Sequence, residues 1–472
     1  MKINCKSIYI ASICLYFGPI IMGCDELLDI DEPNSKVSIE TVFRDDGTAT
    51  SAVTGLYTEM LYALNFASGN YNSVTALAGL SSDELINYWP TNTTEQQFYD
   101  NNIVPQNDDI LSVWTSAYKV IYQANSVFEG LTNSSGLTAA VREQLQGEAL
   151  FVRAFTHFYL INLFGAVPLI TSTDYRKNTS APRSSVDQVY DQVIVDLLAA
   201  QTLMSGTYTT SGRVRPNSFT AMALLARVYL YRKDWANADV LASNVINEGT
   251  YQIESDLNNV FTSSSTEAIW QLQPLAGDIN TWEGNIFILD SEPAFYYLNK
   301  DLVDFFEVGD KRLESWTGSF ENGSDTFYYP FKYKVKYGGT ASTPPMSVTE
   351  YSMVFRLAEQ YLIRAEARAH LENYAGAISD LDAIRGRADL PLIADTNPTT
   401  GKSDLLLLIE NERRSELFTE WGHRWFDLKR TDRSTEVLSA SKADWQPTDV
   451  LYPLPDLEFT RNPNLKDQNE GY

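Results

Sequence analysis

The chain has 472 residues, of which 61 are acidic and 36 basic, so its formal net charge is −25. Such an acidic protein is poorly suited to bind nucleic acid, whose phosphates need Lys and Arg side chains for neutralisation. It also has no polybasic segment that could hold it on anionic lipid. The composition therefore excludes nucleic acid as a partner and charge-driven attachment to a membrane.

The first 23 residues have the pattern of a lipoprotein signal peptide, and such a segment is set aside in fold reasoning. Two lysines precede an apolar run over residues 7–22, which ends in a glycine followed by Cys24. This run is short for a membrane span. We therefore predict that Cys24 is lipidated and is the membrane anchor, that residues 24–40 form a tether, and that residues 41–472 form a single domain.

Cysteine usage supports this interpretation. The three cysteines are Cys5, Cys14 and Cys24, so the first two would leave with the signal peptide. The mature body would then have no disulfide framework, no cysteine metal site and no thiol nucleophile. Its stability must come from a buried core, for which a chain of this length is ample.

Several helices are predicted in the first half of the chain. Apolar periodicity indicates helices over residues 48–64, 109–130 and 138–164. Gly165 follows the third helix as a stop signal, and Ser185-x-x-Gln188 is a capping box that begins another. These segments predict a mainly helical domain.

Residues 68–109 interrupt the helical pattern as a first insert. The segment is rich in Asn, Thr and Ser, and it contains Asp83, Trp89 and Asn92. A long irregular segment within a compact helical protein is usually functional or disordered. Its aromatic residues argue against disorder, so we predict that this insert has a function.

Residues 353–390 predict two antiparallel helices joined by a short turn. Leu357, Tyr361, Ala365 and Ala369 recur every four residues and so share one helix face. Residues 216–249 repeat the pattern, and this unit is typical of a tetratricopeptide repeat, although one copy alone also fits an ordinary helical hairpin. We predict a mainly all-α fold in which tetratricopeptide-like hairpins are the scaffold for long, loop-rich, aromatic inserts with minor β-hairpins.

A second insert spans residues 255–350 and is unusually aromatic. Of the 68 residues from 270 to 337, 16 are aromatic, about twice the 12% of the whole chain. Many will lie in the core, yet ring faces beside amides and carboxylates are also what a sugar site needs. We predict a sugar-binding surface built by the two inserts, with these candidate contacts: Asp83, Trp89, Asn92, Trp282, Tyr296 and Trp316.

No catalytic motif is present in the sequence. His157, His370 and His423 are far apart, and there is no HExxH, G-x-S-x-G or P-loop pattern. The charged run over residues 410–430 fits a solvated or interhelical ion-pair face better than a catalytic site. We predict a binding protein and not an enzyme, while paired carboxylates for glycoside hydrolysis stay open among 61 acidic residues.

No cofactor is predicted, and calcium is the one metal kept open. Residues 45–47 and 322–325 resemble fragments of calcium-binding loops. Neither fragment has the full ligand spacing of an EF-hand.

Several motifs in a fixed order resemble the SusD/RagB family. The resemblance spans nearly the whole mature chain and departs at Glu470, where the family usually has proline. The motifs are Cys24, RLAEQYLIRAEA at 356–367, IENERRSEL at 409–417, EWGHRWFDLKR at 420–430, YPLP at 452–455 and QNEGY at 468–472.

The resemblance implies a function that spacing alone does not give. Family members are outer-membrane, cell-surface lipoproteins that bind a nutrient, most often a glycan. They act as the lid of a SusC-like TonB-dependent transporter, with the repeats facing that partner and the inserts forming the ligand surface. A peptide-binding surface scaffold remains the alternative.

Overall fold

The computed structural model describes residues 39–62, 66–67, 69–91, 93–275, 279–337 and 348–472. The predicted signal peptide, nearly all of the tether, Cys24 and Asn92 lie outside the described residues. Within them, no helix is both long enough and apolar enough to cross a membrane.

The first half of the domain is helical, with one short strand and one strand pair. Its helices are α1 (Ile39–Val42), α2 (Asp46–Tyr62), α3 (Val74–Ser81), α4 (Thr93–Asp100), α5 (Asp108–Asn133), α6 (Ala139–Phe164), α7 (Tyr175–Asn178), α8 (Val186–Leu203), α9 (Ser218–Tyr231) and α10 (Trp235–Asn247). Its strands are β1 (Leu85–Asn87), β2 (Val167–Pro168) and β3 (Arg183–Ser184).

The second half contains the remaining strands and the C-terminal helices. The strands are β4 (Ala268–Leu272), β5 (Tyr296–Leu298), β6 (Thr317–Asn322), β7 (Asp325–Pro330) and β8 (Ser352–Arg356). The helices are α11 (Trp282–Phe287), α12 (Lys300–Val303), α13 (Lys311–Trp316), α14 (Leu357–His370), α15 (Tyr374–Arg387), α16 (Ile393–Thr396), α17 (Lys402–Leu417), α18 (His423–Arg430), α19 (Ser434–Leu438) and α20 (Asp456–Arg461).

The two predicted helical hairpins are α9–α10 and α14–α15, and they pack against each other. Ala226, Ala238 and Ala242 of the first hairpin form one buried cluster with Ile363 and Ala367 of the second. Small side chains at these positions allow the helices to approach closely. The prediction of a mainly helical fold with tetratricopeptide-like hairpins is therefore confirmed, and the two hairpins are neighbours in space despite the long insert between them.

The start of the second hairpin differs from the prediction. The predicted helix begins at residue 353, whereas in the structure residues up to Arg356 belong to β8 and the helix begins at Leu357. β8 is buried along its whole length and pairs antiparallel with β4. Because β4 lies about 85 residues earlier, a local pattern of apolar residues could not distinguish a buried strand from the first turn of a helix.

The core is centred on α6, whose Phe155 contacts aromatic rings from three other segments. Its ring centroid lies 5.7 Å from that of Trp270, 6.0 Å from Phe355 and 5.4 Å from Trp421. All four side chains are buried. Edge-to-face packing of this kind joins β4, β8 and the C-terminal segment to one central helix.

The charged run over residues 410–430 is an interhelical network, and much of it is buried. Arg312 Nη1 lies 2.6 Å from Glu412 Oε1 and 3.0 Å from Glu416 Oε2. Arg356 forms a paired contact with Glu420, at 2.8 Å for each nitrogen–oxygen pair. These carboxylates therefore connect α17 and the segment that follows it to α13 and β8, which supports a structural role.

Candidate functional site

The two inserts meet where β1 pairs antiparallel with β5. Leu85 lies opposite Leu298 and Asn87 opposite Tyr296. The pairing continues past the strand, because the Tyr88 backbone N–H donates to the Phe295 carbonyl at 2.8 Å. The β6–β7 hairpin packs against β5, so residues about 200 positions apart in sequence share one surface.

Four aromatic rings lie together at this junction: Tyr88, Trp89, Tyr297 and Phe327. We call them the Trp89 surface. The ring centroid of Tyr88 lies 5.0 Å from Trp89, 6.4 Å from Tyr297 and 5.5 Å from Phe327. Trp89 is 53% exposed, and its indole N–H donates to the Ala294 carbonyl at 2.9 Å. That hydrogen bond fixes the orientation of a large ring that stays open to solvent.

Polar groups surround these rings. The Tyr88 hydroxyl donates to Glu292 at 3.0 Å, and the Asn322 amide donates to the same carboxylate. The hydrogen bond to Glu292 raises the pKa of the Tyr88 hydroxyl. Asn87 donates to Gln96 and to the Trp89 carbonyl, both at 3.0 Å.

This arrangement is suited to binding a sugar. The C–H face of a pyranose can lie on an exposed indole, while hydroxyls exchange hydrogen bonds with carboxylates and amides. Tyr88 and Glu292 supply a hydroxyl and a carboxylate within hydrogen-bond distance of each other, next to Trp89. The rings and the polar groups come from both inserts.

Asp83, which was predicted as a ligand contact, is part of an internal ion pair. It is buried, and its two carboxylate oxygens accept from Arg424 at 2.8 and 3.0 Å. Arg414 lies 2.8 Å from the same carboxylate. Burial opposes ionisation, but the two guanidinium groups outweigh it and lower the pKa of Asp83 to about 2. Asp83 therefore holds the first insert to the C-terminal helices, and we do not retain it as a ligand contact.

Tyr296 and Trp316 also lie in the interior. The Tyr296 hydroxyl donates to the Tyr71 carbonyl at 2.6 Å, and the Trp316 indole N–H donates to the Leu257 carbonyl at 3.0 Å. Their exposed fractions are 1% and 0%. A ring covered on both faces by protein cannot stack on a sugar, so both predicted contacts are reassigned to the core.

The remaining two predicted contacts are Trp282, which the structure describes, and Asn92, which it does not. Trp282 is half-buried at the start of α11, and its indole nitrogen has no hydrogen-bond partner among the described residues. The ring contacts of the Trp89 surface do not include it. Asn92 lies outside the described residues, so its place relative to Trp89 stays a prediction.

Sequence reasoning missed Tyr88, Tyr297, Phe327 and Glu292. The exposure of Tyr297 could have been inferred from its position in a strand, because successive side chains of a strand point to opposite faces. With Tyr296 buried, Tyr297 must face outward, as the structure shows. That inference requires knowing that residues 296–298 form a strand.

The two acidic fragments that resemble calcium loops lie in different local environments. The Asp46 carboxylate accepts from the Thr138 backbone N–H and hydroxyl, both at 2.9 Å. Residues 322–325 form the turn of the β6–β7 hairpin, where Gly323 has a positive φ of 63°. Over the described part of the chain, no group of three or more His, Cys, Asp and Glu side chains is arranged to hold a metal ion.

Glu84, which immediately precedes β1, lies in an unusual environment. It is 1% exposed, and one carboxylate oxygen accepts from the Thr419 backbone N–H at 3.2 Å. The other has no partner among the described residues. Burial, with the adjacent Asp83 carboxylate, raises the pKa of Glu84 from 4.5 to about 8. The pKa of Glu84 is therefore higher in the folded protein than in the unfolded chain. The stabilisation from this group is complete below pH 4.5 and is lost as the pH rises through about 8.

We therefore expect Glu84→Gln to flatten the decline of stability between pH 4.5 and about 8. Glutamine keeps the shape of the protonated acid and cannot ionise, so at pH 8 the variant should be more stable than the wild type by more than about 1 kcal/mol. Denaturant unfolding at a series of pH values measures this difference. Glu314→Gln, at an exposed carboxylate, is the control, and parallel profiles for Glu84→Gln and the wild type would contradict the assignment.

Comparison with known proteins agrees with this architecture. Residues 34–230 match a family model described as starch-binding and associating with the outer membrane, and residues 311–472 match that of the SusD family. The helical-repeat scaffold is therefore that of a SusD-type protein. The chain belongs to the SusD family.

Individual relatives align over almost the full length. SusD-like protein P38 of Formosa agariphila is 25% identical over an alignment 519 positions long, which covers 99% of each chain. A laminarin-binding SusD-like protein of known structure is 24% identical with a TM-score of 0.77, covering 91% of this chain and 100% of that one. A SusD-like carbohydrate-binding protein of Bacteroides fragilis is 21% identical with a TM-score of 0.78, over 90% and 100% of the two chains. These likenesses establish the shared fold.

Proposed function

We propose that this protein is a cell-surface lipoprotein that binds a glycan on the Trp89 surface and delivers it to a SusC-like TonB-dependent transporter, as the lid of that transporter. The observation that carries the glycan assignment is the exposed, oriented indole of Trp89 at the junction of the two inserts. Membership of the SusD family and the laminarin-binding structural neighbour support it.

Binding can be tested by retardation in native gels that contain a soluble polysaccharide. Laminarin and starch are the first two to use, because one structural neighbour binds laminarin and one family model is described as starch-binding. Retardation by one glycan, with no release of sugar from it, supports a binding protein. Release of sugar by the pure protein would contradict the proposal that it is not an enzyme.

Attachment to the membrane is proposed to rest on acyl chains at Cys24 alone. The described residues contain no membrane-spanning helix, and the chain is strongly acidic. Cys24→Ser is therefore expected to move the protein from the membrane fraction to the soluble fraction, which immunoblotting of fractionated cells would measure. Retention of the variant in the outer membrane would contradict a lipid anchor at this residue.

The transporter partnership is tested by a mild-detergent pull-down of the tagged, lipidated protein. We expect a large TonB-dependent barrel to be recovered in stoichiometric amount. The control is the Cys24→Ser protein added to the same membranes, which separates binding to the barrel from shared membrane location. Recovery of no barrel with the lipidated protein would contradict the lid role.

The second candidate function is peptide binding by the helical hairpins. The observation that favours it is a cavity of about 480 Å³ beside Trp235 and His370, whose rings stack at 3.8 Å. Lys233 and Glu366 also line it. Binding of a peptide mixture, with no retardation by any glycan, would favour this function.

A further inference from the structure

A second pocket lies between α5, the segment that follows β2, and α20. Trp114, Tyr118 and Tyr122 follow one another at intervals of four residues and so form a stripe along one face of α5. Tyr175, at the start of α7, lines the same pocket. The cavity has a volume of about 330 Å³. We call it the Tyr122 pocket, and it shares no residue with the Trp89 surface.

The aromatic lining of the pocket consists of two rings held in place by the protein and two exposed rings. Trp114 is buried, with its ring centroid 4.9 Å from that of Tyr118. The Tyr118 hydroxyl donates to the Pro168 carbonyl at 2.8 Å, which locks this ring in place. Tyr122 and Tyr175 are 52% and 71% exposed, and neither hydroxyl makes a hydrogen bond to a described residue. Two ring faces and two hydroxyl groups are thus available to a ligand.

The charged groups of the pocket are one carboxylate and one guanidinium. Arg461 Nη1 lies 2.7 Å from Glu458 Oε1. The second carboxylate oxygen of Glu458 and the remaining guanidinium nitrogens of Arg461 make no hydrogen bond within the described residues. The pair is neutral overall, so the pocket does not favour a charged ligand, yet it offers an acceptor and donors beside the rings.

These features together select the class of ligand. A purely apolar molecule would cover the free polar atoms of Glu458 and Arg461 without replacing their hydrogen bonds to water, which is unfavourable. A neutral molecule with an apolar face and several hydroxyl groups satisfies both the rings and the ion pair. The volume lies at the lower end of the range for small-molecule sites, about 300–1,000 Å³, which suits a single ring.

We propose that the Tyr122 pocket is a second carbohydrate site that binds one neutral sugar ring between Tyr122 and Tyr175, with its hydroxyl groups on Glu458 and Arg461. This inference goes beyond the proposed function and does not rest on glycan binding at Trp89. It places a sugar contact on α5, on α7 and on the C-terminal helix α20.

The test is saturation-transfer NMR of single monosaccharides with the Trp89→Ala protein, in which binding at the Trp89 surface is weakened equally in every variant compared. The probes are glucose, galactose, mannose, xylose and fucose at millimolar concentration. We expect saturation transfer to at least one of them, and its loss to background when Tyr122→Ala and Tyr175→Ala are added. The control is Tyr374→Ala added to the Trp89→Ala protein, because Tyr374 is a half-buried tyrosine on α15. This variant should leave the signal unchanged.

Two results would overturn the proposal: no transfer to any of the five sugars, or transfer that persists when both tyrosines are replaced. Thermal unfolding of each variant shows that the comparison is made on folded protein. Both replaced side chains are more than half exposed, so their removal leaves the core intact. Because every protein in the comparison lacks Trp89, failure here is independent of the outcome for the Trp89 surface.

Discussion

Replacing Arg356 with alanine is expected to lower the free energy of unfolding by about 3–5 kcal/mol. Arg356 is 1% exposed, and its guanidinium contacts Glu420 twice, Glu267 at 2.8 Å, and Glu416. Removing it leaves three buried carboxylates with fewer positive partners, and a buried charge without its partner is strongly destabilising. Denaturant unfolding of the wild type and the variant measures the loss.

Arg176→Ala is the matched control for this prediction. Arg176 also forms an ion pair, with Asp174 at 3.0 Å, but its side chain is 76% exposed. Exposed pairs contribute roughly 0–1 kcal/mol, so this variant should unfold close to the wild type. A loss of less than about 1 kcal/mol for Arg356→Ala would show that the buried network contributes little to stability.

The second large effect is expected on ligand binding. We expect Trp89→Ala to weaken the binding of an oligosaccharide, taken from the glycan that retards the protein in native gels, by about 1–3 kcal/mol. This is a rise in Kd of roughly five- to 150-fold. The physical reason is that Trp89 is the large exposed ring of its surface, oriented by its hydrogen bond to the Ala294 carbonyl. Isothermal titration calorimetry gives the two dissociation constants.

Two further variants make this result specific. Trp89→Phe keeps a ring and should lose less affinity than Trp89→Ala, because part of the stacking face remains. Tyr374→Ala removes a half-buried tyrosine from the helical scaffold and should leave the Kd unchanged. Equal affinity of Trp89→Ala and the wild type would remove Trp89 from the site.

The helical scaffold could be predicted because its signals are local. The capping box at Ser185, the N-cap at Asn217 and the glycine stop at Gly249, which has a φ of +90°, all lie within a few residues of the helix ends that they define. Side-chain spacing of four residues likewise reports which face of a helix is buried. These features depend on neighbouring residues alone.

The candidate site was only partly predictable, because exposure depends on distant contacts. Trp89 and Trp316 both lie in polar, aromatic inserts, and the sequence alone does not distinguish them. Trp316 is covered by Leu257, 59 residues away, and by the Lys332 ammonium, 4.9 Å from its ring centre. The partner of Trp89 is Ala294, 205 residues away.

Asp83 shows the same limit for a charged residue. A carboxylate next to aromatic residues in a loop-rich insert is a reasonable ligand contact by pattern. Its partners, Arg414 and Arg424, lie more than 300 residues later and were predicted only as part of a charged helical run. Such pairing over long sequence distances is visible in the folded structure alone.

The most direct test of the central claim is a crystal structure of the protein with an oligosaccharide of the glycan that retards it in native gels. We expect a sugar ring lying on the exposed face of Trp89, with hydroxyl groups within hydrogen-bond distance of Glu292 or Asn322. An oligosaccharide bound elsewhere on the molecule, with the Trp89 surface empty, would contradict it.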